Sequence, residues 1–171
     1  NQVHEYRDML QAWRKANAVT FAGYIIGFPN DTYESVMRDI EILKRELPLD
    51  LVEFFVLTPL PGSEDHQTMV KEGAWLEPDM NSYDTEHPCA RHPNMSRDEW
   101  MRTYQAAWRS FYTWEHMETI FRRRHAEGHS VGKMLGQFIW FRGSMFVEGV
   151  HPLQAGIIRR KHRSERRPGL A

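Results

Sequence analysis

The 171 residues, 41% hydrophobic and 26% charged, carry enough apolar material for about one globular domain with a real core. The net charge of −1 conceals a basic end: residues 151–171 hold six Lys or Arg against one Glu, without the Phe, Tyr or Trp that base stacking wants, which argues against nucleic acid as a partner. Cys89 is the only cysteine, so an intrachain disulfide is excluded and a reducing, cytoplasmic compartment is expected.

The chain opens at Asn1 with no basic n-region or apolar h-region, so no secretory signal is read and an internal, trimmed start is expected. Val3, Tyr6, Leu10 and Trp13 recur at helical spacing, predicting an amphipathic helix over 3–16. Residues 19–26 are nearly continuous in β-branched and aromatic character, the pattern of a strand covered on both faces. Asp31 followed by Glu34 predicts a capped helix start, Val36, Ile40, Leu43 and Leu47 continue the helix, and Pro48 stops it. A second buried strand spans 51–57 and closes on Thr58-Pro59-Leu60-Pro61-Gly62. Strand, helix and strand with short links form a βαβ unit with parallel strands.

A short helix is predicted over 63–72, ended by Gly73, and the proline-rich stretch 74–95 is an ordered loop of unusual length. Ser96 and Glu99 open a helix whose face carries Trp100, Tyr104, Ala107, Trp108 and Phe111. A further helix runs over 115–126 to a break at Gly128, and Val131, Met134, Leu135, Phe138, Phe141 and Met145 mark another. The Trp, Phe and Met stripes of these late helices read as core. The most apolar run, 131–147, is interrupted by Lys133, Gln137 and Arg142 and falls short of the roughly 18 residues of a membrane span.

His87-x-Cys89-x-x-His92 has unspecific spacing and no evident fourth ligand, and Gly128 separates His125 from His129, so no metal site is assigned. Tyr83, Asp84, Glu86 and His87 sit on the long loop after the second strand and are candidates to face a substrate.

Taken together, Gly23-x-Ile25-x-Gly27 at a strand end, a helix, and a strand running into Thr58-Pro59-Leu60-Pro61-Gly62-Ser63-Glu64 resemble the later strands of a radical S-adenosylmethionine enzyme. Tyr83-Asp84-Thr85-Glu86-His87, His92-Pro93-Asn94-Met95-Ser96, Ala107 to Tyr112, His151-Pro152-Leu153-Gln154 and Arg166 to Leu170 resemble the branch with a cobalamin-binding domain. The resemblance covers nearly the whole chain and rests on the order of the pieces.

It implies an α/β fold: the C-terminal part of a partial TIM-type barrel over 1–73, a long loop over 74–95, a helical region over 96–150 and a basic irregular tail over 151–171. It also implies that Gly23, Ile25 and Gly27 lie beside the adenine of S-adenosylmethionine, with Leu57 and Thr58 at its edge. Where the family commonly has Gly-Glu this chain has Asn30-Asp31. The Cys-x-x-x-Cys-x-x-Cys loop that holds the family's [4Fe–4S] cluster is absent, and one cysteine cannot replace it. The chain by itself is therefore expected to bind neither cluster nor cobalamin and to catalyse nothing. Its expected partners are the missing N-terminal half, a small-molecule substrate in the parent, and, through uncovered apolar faces, other copies of itself. Two rival readings are a stand-alone α/β partner-binding module and a radical enzyme of methylthiotransferase type without cobalamin.

Overall fold

The computed structural model describes residues 3–154. Helix α1 (Val3–Lys15) leads into β1 (Phe21–Ile26), α2 (Tyr33–Glu46) and β2 (Leu51–Val56). The two strands are parallel and in register from Phe21 opposite Leu51 to Ile26 opposite Val56. Then follow α3 (Glu64–Lys71), a 3₁₀ turn at Met80–Ser82, α4 (Arg97–Phe111), α5 (Trp114–Ala126) and α6 (Gly132–Gly143), which runs into a π-helical turn at Ser144–Glu148. The fold is α/β, mostly helical, around a two-stranded parallel sheet.

One face of the sheet is the core. Ala22, Tyr24 and Ile26 of β1 align with Val52, Phe54 and Val56 of β2, and α2 and α4 pack onto that face through Val36, Ile40, Trp100, Trp108 and Phe111. Phe54 meets the rings of Trp108 and Phe111 edge-on at 5.3 and 6.1 Å. The aromatic stripe of α4 is thus core, as its spacing predicts.

The other face differs from the expected strand covered on both sides. Phe21 and Ile25 are 50% and 42% exposed; the Phe21 ring meets Phe141 of α6 edge-on at 6.3 Å, and that side of β1 is otherwise largely open among the described residues. The two sheet edges also differ. On the outer edge of β2, the Tyr112 hydroxyl donates to the Val52 carbonyl and accepts its N–H. There too the Val56 N–H donates to the Thr85 carbonyl. The outer edge of β1 carries no strand among the described residues.

The helix starts bring a second correction. The residue that caps α2 is Thr32, which exchanges side-chain and backbone hydrogen bonds with Ser35 as a complete capping box. Asp31 instead accepts the N–H groups of Gly27 and Phe28 at 2.7 and 2.9 Å, and so holds the strand-to-helix turn shut. In α1 the predicted stripe is real but mostly unburied: Leu10 is covered while Tyr6 and Trp13 remain exposed. The other helices stand within one or two residues of their predicted bounds. The irregular basic tail lies, from residue 155 on, outside the described residues.

At the N-terminal ends of the strands a buried ionic knot ties four elements together. Asp50 is fully buried and accepts from Arg14 and from the backbone and hydroxyl of Thr20. Arg123 and Arg124 of α5 stand 3.6 and 3.8 Å from it. This end is structural; ligands in parallel α/β folds collect at the opposite end.

Candidate functional site

At the C-terminal end of the sheet the predicted shelf divides into two parts. Gly23 and Ile25 lie on the uncovered face, and a Cβ on Gly23 would come within 3.1 Å of the Phe55 ring. Leu57 continues the ladder by donating to the Ile26 carbonyl, and the Thr58 hydroxyl turns back to the Val56 carbonyl at 3.0 Å. Gly23 and Ile25 thus lie within β1, opposite Glu53 and Phe55, while Leu57 and Thr58 follow directly after the end of β2. Gly27 is different. Its φ is +118° and a Cβ there would fall 1.9 Å from the Trp100 indole, whose N–H donates to the Ile26 carbonyl. Glycine at 27 therefore serves the docking of α4 on the turn, with no need for a ligand to explain it.

Glu53 joins this face although its place in the motif gave no notice of it. It lies in register with Gly23, so both share the uncovered side, yet it is only 3% exposed. Burial pushes its carboxyl above the ordinary value. The signal that marks it in the sequence is a single charge inside the apolar run Leu51-Val52-Glu53-Phe54-Phe55-Val56.

The long loop is ordered and divides its four candidates. Asp84 accepts from the Glu86 and His87 N–H groups, and both its oxygens lie 2.9 Å from His87 Nδ1, so it braces the loop. The Tyr83 ring packs edge-on against His66. Glu86 and His87 line a cleft of about 270 Å³ together with α4 and the π-helical turn. Ligand atoms of Asp84, Glu86 and His87 fall within 4.8 Å of one another, an acidic cluster of a kind common without a metal. Cys89 is not near a metal geometry: it is buried, its S–H donates to the Ser82 carbonyl, and His92 turns away to the Phe28 carbonyl. His129 approaches Glu127 at 3.9 Å rather than His125.

His151 closes the outer edge of β2. Its ring stacks on Phe55 at 4.9 Å, and its backbone N–H donates to Glu86 Oε1 at 2.7 Å. Burial, opposed by the Phe54 carbonyl and Asp84, holds the imidazole down to about 4, so it is neutral at pH 7.

No known protein family description matches the chain. Over 105 residues it is 26% identical to an uncharacterized methyltransferase of Pyrococcus horikoshii. That stretch is 61% of this chain and 23% of that protein, so the chain spans less than a quarter of the length of the relative it matches. Among the described residues, no helix is long and apolar enough to cross a membrane.

Proposed function

We propose that this chain is the C-terminal portion of a radical S-adenosylmethionine enzyme, with the paired ends of β1 and β2 as the adenine side of its cofactor site. The observation that carries the reading is the asymmetry of the sheet. One face and the outer edge of β2 are covered by the chain's own helices and loops, while on the other face the β1 half is exposed and the outer edge of β1 carries no strand among the described residues. A parallel two-stranded sheet with one apolar open face fits the last two strands of a partial barrel, whose earlier strands would pair on β1. The relative's description as a methyltransferase supports methyl transfer as the reaction class; cobalamin as the methyl carrier is proposed from the order of the sequence motifs from Gly23 to Leu170 alone.

The donor set does not fit an iron–sulfur cluster, because the one thiol is buried against backbone carbonyls. The cluster, and the reductive cleavage it supplies, belong in this reading to residues upstream. The open end of β1 does fit a flat apolar ring through the exposed apolar surface of Ile25, beside Gly23, whose Cβ space is shared with the Phe55 ring. Domain bounds at 73, 95 and 150 follow the same reading.

The test uses the longer protein, reconstituted anaerobically. Release of deoxyadenosine from S-adenosylmethionine on reduction is expected, and Ile25→Glu should weaken cofactor binding at least tenfold without changing the far-UV spectrum. A parent sequence without a three-cysteine loop upstream, or full binding by the Ile25 variant, would overturn the proposal.

A further inference from the structure

We propose that the cavity between α1, the link from α2 into β2 and the end of α5 is a binding site for a phosphate group, free or carried by a small molecule, whose occupancy stabilises the fold. Arg14, Lys15, Pro48, Arg123, Glu127 and His129 stand in its wall. It lies at the N-terminal ends of the strands, and neither Gly23, Ile25, Leu57 nor Thr58 lines it. The inference therefore goes beyond the cofactor reading and does not depend on it.

The charges in this wall do not balance. Arg14 and Lys15 sit in the last turn of α1, and Arg123 and Arg124 in the last turn of α5. Arg14, Arg123 and Arg124 converge on the buried Asp50 at 3.0, 3.6 and 3.8 Å. Glu127 is the second anion, and it is spent on Arg14, whose Nε and Nη2 reach its two oxygens at 3.2 and 2.5 Å. Three guanidinium groups against two carboxylates leave the knot one positive charge in excess. Lys15 has no ion pair among the described residues and adds a second. The Arg14 and Arg124 side chains are only 4% and 5% exposed, so water does little to offset the surplus.

The hydrogen-bond donors are in excess as well. Arg14 commits four of its five N–H groups to Glu127, Pro48 and Asp50. Arg123 donates to the Leu49 carbonyl and Arg124 to the Ala18 carbonyl, while the Nε–H of each is buried with no acceptor among the described residues. Buried donors of this kind are rare in folded proteins unless water or a ligand takes them up. Cations offered from two helices suit an oxyanion, which guanidinium groups bind through paired, charge-assisted hydrogen bonds. Two surplus charges match the phosphate dianion better than a single carboxylate. The volume, about 450 Å³, equals roughly fifteen waters at about 30 Å³ each, room for a phosphate with a small organic body such as a pentose.

The experiment titrates inorganic phosphate, ribose 5-phosphate and acetate into the 171-residue chain at constant ionic strength. The readouts are calorimetry and the melting temperature. Both phosphates are expected to saturate at about 1 mM or below, to raise the melting temperature as they do, and to bind about tenfold tighter than acetate. Whichever of the two binds tighter names the source, ester or free ion. Arg123→Gln should weaken both, but it also disturbs the knot around Asp50. Lys15→Gln is exposed and outside that knot, so it should weaken phosphate about tenfold while the unliganded chain melts as before. No saturation by phosphate below about 10 mM, acetate bound as tightly, or an unchanged affinity in Lys15→Gln would each overturn the site.

Discussion

Asp50 is the residue on which most of the buried charge converges. It is fully buried, with Arg14 at 3.0 Å and two more arginines within 3.8 Å. Removing its charge strands guanidinium groups that are themselves 4% and 5% exposed. Asp50→Asn should therefore cost about 3–5 kcal/mol, read as a lower urea midpoint at unchanged m-value. Glu53 is the opposite case. Its raised carboxyl favours the neutral form in the fold, so ionisation above the ordinary value of 4.5 works against folding and still does at pH 7. Glu53→Gln should raise the melting temperature at pH 7 and leave it unchanged well below pH 4.5; equal shifts at both would refute the buried-carboxyl account. His116 titrates on the acid side. Burial first, then Lys44 and Arg123, hold it down to about 4 from 6.5. The unfolded chain thus binds a proton that the fold refuses, and stability is lost as pH falls from 6.5 toward 4. His116→Leu should reduce the slope of unfolding free energy against pH by about one proton in that window.

At the level of elements, the strand-to-helix turn is organised by contacts from far along the chain. Trp100 fills the space where a side chain at 27 would go, and His92 and Asn94 bond the Phe28 and Pro29 carbonyls. Gly27→Ala meets both a positive φ and the indole, so it should abolish cooperative unfolding or cost well over 2 kcal/mol. Gly73→Ala, with positive φ but open space, should cost about 1 kcal/mol. Comparable losses at the two positions would remove Trp100 from the explanation. Sequence spacing locates the α2 start to within a residue. Whether Asp31 or Thr32 caps depends on which N–H groups lie within reach, and that follows from the path of the turn. The Glu86 and His87 half of the candidate loop acquires a cleft only because α4 and the π-helical turn come to face it.

For the molecule as a whole, the uncovered apolar surface is the dominant property. Phe21 and Ile25 on the open face of β1 remain well exposed, as do Tyr6, Met9 and Trp13 of α1, and the outer edge of β1 carries no strand among the described residues. Unpaired, flat and apolar edges recruit other chains. The chain alone should sediment as concentration-dependent oligomers, and Phe21→Lys with Ile25→Lys should restore a monomer with unchanged helicity. A monodisperse wild-type chain at high concentration would contradict this. Leu135, Ile139 and Val147 add a second apolar area on the helical region.

Local periodicity by itself determined the βαβ unit, the sites of nearly all helices and the assignment of the α4 aromatics to the core, because helix and strand spacing and chain breakers act within a few residues. Tertiary structure alone decided the rest. It bared one face of β1, turned Gly27 toward Trp100, buried Glu53 beside Gly23, and brought Glu86 and Arg109 to line one cleft. Each of these depends on residues tens of positions apart meeting in space, and no spacing rule within one element reports on such meetings.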